Sequence, residues 1–251
     1  MYCVGIDIGS AAAKVIVMSE DDRKILHHLL MPTGWSSKET ALSIQNWLKD
    51  RFITSDNSHI TATGYGRVSV PYADKVITEI TCHGRGAYYL NGTDCTVIDI
   101  GGQDTKIISV KNGAVSNFIM NDKCSAGTGR FLEIMANTLG VNLEEIFELA
   151  EKGKEVLISS MCTVFAESEV ISLIGNGRPK EDIAWGVVNS IVNKVCTLST
   201  KLNSENDKFF LTGGFCESRY MCEQLSGKLK KPVNSNPMAR YAGAIGAALS
   251  R

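Results

Sequence analysis

Hydrophobic and polar positions change their period several times along the chain. Tyr2–Met18 and Cys95–Val110 are rich in β-branched residues around a glycine turn, which is typical of β-hairpins. His59–Arg67 reads as a strand and a turn, and Phe209–Leu211 as a short strand. Elsewhere apolar residues recur three and four positions apart, as on one face of a helix. The pattern predicts helices within Lys38–Arg51, Asp74–Leu90, Arg130–Leu139, Leu143–Lys152, Phe165–Ile174, Glu181–Leu202, Met238–Leu249 and from about Ser218.

The two hairpins resemble each other in sequence. When Asp7 is aligned with Asp99, an apolar strand ends in Asp-Ile-Gly in both, and Lys14 aligns with Lys106. The offset of 92 residues (99 minus 7) is too long for a solenoid repeat, so it favours two related α/β lobes. The alternative is a chance likeness between two glycine hairpins.

The chemistry of these turns suits a nucleotide. Glycine lets backbone N–H groups approach anionic oxygens closely. An aspartate at the end of each strand can hold the water shell of Mg²⁺, which takes only one or two carboxylates. A third turn, Thr-Gly-Gly at Thr212–Gly214, follows the strand Phe209–Leu211 and precedes a helical pattern. We expect the two hairpins to clamp a nucleoside triphosphate with Mg²⁺, and the third turn to face the adenosine.

Net charge and hydropathy narrow the class of protein. The chain has 26 basic and 27 acidic residues and a formal charge of −1, so no basic field for nucleic acid stands out. Its N-terminus enters a strand pattern without a charged leader, and no apolar run approaches the roughly 18 residues of a membrane span. We expect a cytoplasmic protein that binds neither nucleic acid nor a membrane.

The eight cysteines form no Cys-x2-Cys zinc pattern. Cys124 and Cys162 each stand directly before a helical pattern, where the positive helix end favours a thiolate or an anionic iron–sulfur cluster. The alternative is that both are inert. Cys3 and Cys95 at strand starts are expected to be buried, and Cys82 beside His83 is ambiguous. Because a [4Fe–4S] cluster takes four thiolates, two ligands per chain would require a two-fold dimer.

Long motifs carry a resemblance to a known family. The hairpins and the Gly-Gly turn follow in the order typical of actin-like ATPases. Five segments resemble activator ATPases of 2-hydroxyacyl-CoA dehydratases, which belong to the BadF/BadG/BcrA/BcrD-type ATPases. These segments are MNDKCSAGTGRF, SSMCTVFAESEVISL, TGYGR, ADKVITEITCHGRGA and VIDIGGQDTK. The resemblance implies an α/β fold of two duplicated actin-like lobes, each with a five-stranded mixed sheet, and a nucleotide cleft between them. Lobe I would comprise residues 1–90 with a C-terminal helix at about 237–251, and lobe II residues 91–236.

The same resemblance implies site residues. It places the ligands of one [4Fe–4S] cluster per homodimer at Cys124 and Cys162, and catalysis at Asp7, Asp99 and Gln103. Lys106 is open to two interpretations, a phosphate contact or a plain surface residue. The positions implied for ATP or ADP and Mg²⁺ are Gly9, Ser10, Ala11, Ala12, Ala13, Lys14, Gly101, Gly102, Gln103, Gly127, Thr128, Gly129, Gly213 and Gly214.

The implied function is ATP-dependent electron donation. A ferredoxin or flavodoxin would reduce the cluster, and ATP hydrolysis would drive one electron to a partner iron–sulfur enzyme. That partner would be a 2-hydroxyacyl-CoA dehydratase, a benzoyl-CoA-reductase-like enzyme or a double-cubane cluster protein. A small-molecule kinase of the same fold and a non-redox, nucleotide-dependent interaction protein are the alternatives. One departure stands out: the family's first turn commonly reads Gly-Ser-Thr-Ala-Ser/Thr-Lys, whereas Ala11 and Ala13 lack those hydroxyls.

Overall fold

The computed structural model describes residues 1–121, 125–159, 162–202 and 206–250. Within these ranges the strands are β1 (Tyr2–Ile8), β2 (Ala12–Ser19), β3 (Ile25–Pro32), β4 (Ser58–Thr63), β5 (Lys75–Val76), β6 (Cys95–Ile100), β7 (Thr105–Lys111), β8 (Ala114–Asn121), β9 (Phe209–Gly213) and β10 (Val233–Asn234). The helices are α1 (Ser37–Lys49), α2 (Glu79–Asn91), α3 (Gly129–Leu139), α4 (Leu143–Lys152), α5 (Thr163–Gly175), α6 (Lys180–Leu202), α7 (Arg219–Leu229) and α8 (Ala242–Ala248).

The first sheet has five strands in the order β3-β2-β1-β4-β5. The hairpin β1–β2 is antiparallel and pairs Asp7 with Lys14, while β1 and β4 run parallel. Strand β1 is buried along Cys3–Ile8, as expected for a central strand covered on both faces. The predicted hairpin is therefore confirmed, and its register places an acid opposite a base at the strand end.

The second sheet also has five strands, in the order β10-β9-β6-β7-β8. Strands β6, β7 and β9 are almost fully buried, and β9 pairs with β10 in parallel. The two sheets repeat one arrangement, with a hairpin in the middle and a later strand beside its first strand. The prediction of a duplicated α/β fold with two five-stranded mixed sheets is confirmed.

The chain divides into two compact units. Unit 1 comprises Met1–Val97, Ile108–Phe118 and Asn236–Arg251, and unit 2 comprises Ile98–Ile107 and Ile119–Ser235. The predicted lobe boundary at residues 90 and 91 stays a prediction. No helix in the described part of the chain is both long and apolar enough to cross a bilayer.

The core of unit 1 lies on both sides of the first sheet. On one side α1 contributes Ile44 and Leu48 to a buried cluster with β1 and β2. On the other side α8 packs through small residues, so that a Cβ added at Gly86 of α2 would come within 3.0 Å of the Ala242 carbonyl. Backbones this close leave no room for larger side chains, which explains the run of glycine and alanine in α8.

The core of unit 2 is built around α3 and α6. Phe131, Leu132 and Met135 of α3 are fully buried with Val187 and Ile191 of α6. Helix α4 begins with a capping box, in which the Asn142 side chain accepts from the backbone of Glu145 and the Glu145 side chain accepts from the Asn142 N–H. The helices predicted from apolar periodicity in this unit are confirmed to within about two residues at each end, the usual disagreement between boundary definitions.

Candidate functional site

The turn of the first hairpin follows Asp7 at the end of β1. The Gly9 N–H donates to the Ala12 carbonyl at 3.1 Å, which closes the turn, and the Thr33 hydroxyl donates to the Gly9 carbonyl at 2.7 Å. Ser10 and Ala12 are half-buried and Ala11 is exposed, whereas Ala13 points into the core and is fully buried. The turn thus presents Ser10, Ala11 and its backbone for a ligand, and a side chain at position 13 cannot reach one.

Asp7 is a buried carboxylate with few partners. It is 1% exposed, and neither side-chain oxygen has a hydrogen-bond partner within the described residues. The Lys14 Nζ lies 3.7 Å from Asp7 Oδ2. Burying an ionised carboxylate without hydrogen bonds is costly, so such a group in a native site requires an explanation. Waters of a hydrated divalent cation are the kind of partner that would satisfy both oxygens.

His83, on helix α2, approaches the same carboxylate. Its Nε2 lies 4.0 Å from Asp7 Oδ2 and 3.8 Å from Glu79 Oε1, one helical turn away. A Cβ added at Gly243 of α8 would come within 3.0 Å of both Asp7 Oδ2 and His83 Nε2. The sequence analysis does not predict this contact. The one available signal was the spacing of Glu79 and His83, four positions apart on a helix.

In the second hairpin, Asp99 has close polar partners on both of its side-chain oxygens. Lys106 Nζ lies 3.4 Å from Asp99 Oδ2 and 2.6 Å from Asp104 Oδ1, and the Thr212 hydroxyl donates to Asp99 Oδ1 at 2.8 Å. Both Asp99 and Lys106 are only 2% exposed. The interpretation of Lys106 as a plain surface residue is therefore wrong, because its ammonium group is buried between the carboxylates of Asp99 and Asp104. Gln103, in the turn, is exposed.

The Gly-Gly turn lies against the end of β6. Gly213 has a φ of +88°, and a Cβ there would meet the Ile100 backbone, so only glycine fits. The Gly214 N–H donates to the Ile100 carbonyl at 3.3 Å. Within unit 2 the structure thus brings the predicted adenosine turn beside the second hairpin. Thr212, whose hydroxyl joins the two, was not predicted as a site residue, although it directly precedes the Gly-Gly pair.

The predicted positions Gly127, Thr128 and Gly129 form the entry to α3. The Gly129 N–H donates to the Gly101 carbonyl at 2.8 Å, and the Thr105 hydroxyl donates to the Gly127 carbonyl at 2.7 Å. This entry is therefore bonded to the second hairpin through both backbone and side chain. Its role toward a nucleotide stays a prediction.

Cys162 differs from the other described cysteines. It is exposed and occupies the N-cap position of α5, where its carbonyl accepts from the Ala166 N–H at 2.9 Å. Burial raises the pKa of Cys82 to about 11 and that of Cys95 to about 12, so both thiols stay protonated at neutral pH. The expectation that Cys3 and Cys95 are buried is confirmed. Cys124 lies outside the described residues.

The sequence matches the model of the BadF/BadG/BcrA/BcrD ATPase family over residues 4–250. The chain belongs to this family. It is 43% identical to the (R)-2-hydroxyglutaryl-CoA dehydratase activating ATPase of Acidaminococcus fermentans over 99% of this chain and 96% of that protein.

Two solved structures of dehydratase activators superpose closely on the chain. One is the (R)-2-hydroxyglutaryl-CoA dehydratase component A of Acidaminococcus fermentans, with a TM-score of 0.92, 42% identity, and coverage of 99% of this chain and 96% of that one. The other is the activator of the 2-hydroxyisocaproyl-CoA dehydratase from Clostridium difficile with bound ADPNP, with a TM-score of 0.90, 34% identity, and coverage of 99% and 93%. The fold is that of the actin-like ATPases.

Each of the two hairpins ends its first strand in a buried aspartate. Asp7, with its unsatisfied oxygens, and Asp99, fixed by Thr212 and Lys106, are the two buried acids at the hairpin ends.

Proposed function

We propose that the chain is an activator that uses ATP to pass single electrons to a partner iron–sulfur enzyme. A homodimer would hold one [4Fe–4S] cluster through Cys124 and Cys162 of each protomer, and a ferredoxin or flavodoxin would supply the electron. A 2-hydroxyacyl-CoA dehydratase is the partner class that the named relatives favour. When bound, such a cluster accepts and releases one electron at low potential.

The observation that carries this proposal is the position of Cys162. It is exposed at the start of a helix, where the first N–H groups have no intrahelical partner and favour an anion. The remaining described cysteines are buried or half-buried, so Cys162 is the described cysteine most accessible to a group shared with a second chain. A thiolate at a dimer axis needs exposure on each isolated chain, and Cys162 meets that requirement.

Several large apolar side chains close to Cys162 in the sequence are exposed. Leu157 precedes it at 73% exposure, and α5 exposes Val164, Phe165 and Ile171 by 56% to 68%. Soluble monomers rarely leave so many large apolar side chains together in water, and such patches mark interaction sites. This surface supports a second copy of the chain as the neighbour of Cys162.

Nucleotide binding would rest on the two hairpins. Asp7 would hold waters of Mg²⁺, while Lys14, Ser10 and the backbone of the first turn would contact phosphate oxygens. Mg²⁺, when bound, neutralises charge that develops on the phosphates. Asp99 would act from a fixed position, because Thr212 and Lys106 hold both of its oxygens. Gln103, exposed in the second turn, would orient the attacking water.

Anaerobic purification followed by iron and sulfide assays tests the cluster. We expect about two iron atoms per chain, which is about four per dimer, because one [4Fe–4S] cluster would be shared. Cys162→Ser should remove the iron and also the visible absorbance. Cys222→Ser is the matched control, because Cys222 is a half-buried cysteine on α7 and should leave the iron content unchanged.

Two results would contradict the proposal. One is wild-type protein without iron after strictly anaerobic handling. The other is Cys162→Ser protein with the full wild-type iron content. ADP release that depends on an added sugar would instead favour a kinase of the same fold. A reconstituted assay with a purified dehydratase component would then establish the partner, with ATP-dependent dehydration as its readout.

A further inference from the structure

The second hairpin is joined directly to the first turn of α3. Helices begin with N–H groups that lack intrahelical acceptors. In α3 two of them are used by the hairpin, since Gly129 donates to the Gly101 carbonyl and Arg130 to the Gly102 carbonyl, both at 2.8 Å. A displacement of the Gly101–Gly102 turn must therefore move the start of α3 or break these bonds.

A second connection runs through the segment that precedes α3. The Thr105 hydroxyl on β7 donates to the Gly127 carbonyl at 2.7 Å, and the Thr128 N–H donates to the Ser125 carbonyl at 3.0 Å. Thr105 and Thr128 are almost fully buried, so water does not compete for these bonds. The hairpin and Ser125 thus belong to one hydrogen-bonded structure.

Ser125 in turn contacts the start of α5. Its Oγ lies 2.9 Å from the Oγ1 of Thr163, and either hydroxyl can donate. Thr163 is the first residue of α5, is 7% exposed, and directly follows Cys162. The bond therefore ends one residue away from the exposed cysteine.

A second side-chain bond between α3 and α5 lies further along both helices. The Thr138 hydroxyl donates to Glu167 Oε1 at 3.2 Å. It holds the two helices together independently of their starts. Removal of the Ser125–Thr163 bond should consequently leave the fold intact and alter only the link between the hairpin and Cys162.

We propose that Ser125 and Thr163 are positioning residues that transmit movement of the second phosphate hairpin to Cys162. The inference deepens the proposed function and rests on it: a nucleotide that shifts Gly101 and Gly102 would move α3, and the hydroxyl pair would carry that shift to the start of α5. The pair would set how Cys162 responds to nucleotide, and it would leave the hydrolysis chemistry at the hairpins unchanged.

The test compares nucleotide states in the full chain purified without oxygen. The rate of iron removal by a chelator is measured with ADP and with a non-hydrolysable ATP analogue. We expect the two rates to differ by about fivefold or more in the wild type, the lower end of ordinary allosteric coupling. Thr163→Val, which replaces the hydroxyl with a methyl group of similar size, should bring the two rates together, and Ser125→Ala should do the same.

Matched variants separate positioning from a merely structural role. Thr163→Ser keeps the hydroxyl and should retain the wild-type ratio of rates. Thr200→Val removes a hydroxyl from an exposed helical position of α6 and should also leave the ratio unchanged. The ATPase rate should stay within about twofold in all four variants, because none of them alters a side chain of the hairpins. A wild-type ratio in Thr163→Val would overturn the inference.

Failure of the proposed function is distinguishable from failure of this inference. If the wild type holds no iron, the cluster proposal fails and the same variants are tested through the thiol itself. Alkylation of Cys162 by iodoacetamide, followed by mass spectrometry, should then depend on nucleotide in the wild type and lose that dependence in Thr163→Val. Alkylation that ignores nucleotide in the wild type would overturn the coupling.

Discussion

The two hairpins share a sequence motif but hold their aspartates in opposite ways. Asp99 is satisfied by the Thr212 hydroxyl and by Lys106, which Asp104 holds from the other side. Asp7 has no hydrogen-bond partner within the described residues and faces Lys14 at 3.7 Å. Asp99 is fixed by hydrogen bonds within its own unit, whereas Asp7 has none in the part of the chain that the structure describes. A duplicated motif therefore does not imply duplicated contacts.

The largest loss of stability should come from removing Lys106, the buried partner of Asp99. Lys106→Met leaves two carboxylates beside an apolar side chain, and loss of one partner from a buried ion pair costs about 3–5 kcal/mol. Lys14→Met should cost less than Lys106→Met, since the Lys14 side chain is 20% exposed and its Nζ lies 3.7 Å from Asp7, so that solvent screens this pair more. Urea unfolding of both variants measures the contrast. Equal losses would mean that the two lysines are equivalent after all.

Asp7→Asn should separate activity from stability. We expect the ATPase kcat to fall about 100- to 1000-fold, the usual cost of removing one group that stabilises transition-state charge. Without Mg²⁺ the free energy of unfolding should stay unchanged or rise, because a neutral amide is cheaper to bury than an unsatisfied carboxylate.

Asp99→Asn is the counterpart of that experiment, and it should lower the free energy of unfolding because it breaks the buried pair with Lys106. Similar unfolding curves for the two variants, recorded in the same Mg²⁺-free buffer, would contradict the difference between the hairpins.

The alanines of the first turn should respond unequally to restored hydroxyls. Ala11 is exposed, so Ala11→Thr can add a hydrogen bond to a charged phosphate and should improve ATP affinity about tenfold. Ala13 is fully buried, so Ala13→Thr places an unpaired hydroxyl in the core and should lower the unfolding free energy by about 1–3 kcal/mol. Calorimetric titration with a non-hydrolysable ATP analogue and urea unfolding measure the two effects. Tighter binding by Ala13→Thr would show that the turn rearranges.

The smallest expected effect is a loss of stability at high pH that arises from Cys95, at the start of β6. Burial raises the pKa of Cys95 from 9.0 to about 12, so the folded state keeps this proton at a pH where the unfolded chain loses it. The stabilisation is complete below pH 9 and is lost as the pH rises toward the folded pKa, by about 1 kcal/mol between pH 9 and 10. Cys95→Ala should lack this component. If the free energy of unfolding changed with pH in the same way in the wild type and in Cys95→Ala, this contribution of Cys95 would be ruled out.

Much of the fold could be predicted because its signals are local. The hairpins appear as alternating apolar residues around Asp-Ile-Gly, and α6 as a long apolar stripe, so both were placed correctly. Strand β3 was not predicted, because most of its side chains are exposed and its sequence carries no alternation of buried and polar positions. A strand that buries so little side-chain surface has little pattern to reveal it.

Individual residues of the candidate site could be predicted from the sequence, but the contacts between them could not. Asp7 and Asp99 could be singled out, but the difference between them could not. It depends on Thr212, which is 113 positions from Asp99 and reaches it only in the folded sheet. His83 is likewise distant from Asp7 in sequence. Patterns in a single sequence indicate the face of a helix or strand on which a residue lies. They do not indicate which distant residues tertiary folding brings into contact.

The packing of α8 against Asp7 also bears on how the protein is made. Unit 1 contains Asp7 near its start and needs Gly243 and the rest of α8 to close around it, while unit 2 lies in sequence between those parts. During synthesis on the ribosome, domains generally fold as units once their residues have emerged. The segment that carries Cys162 would therefore fold while the first hairpin still lacks its cover. The cover that α8 forms over Asp7 could be completed only after residue 248 had left the ribosome.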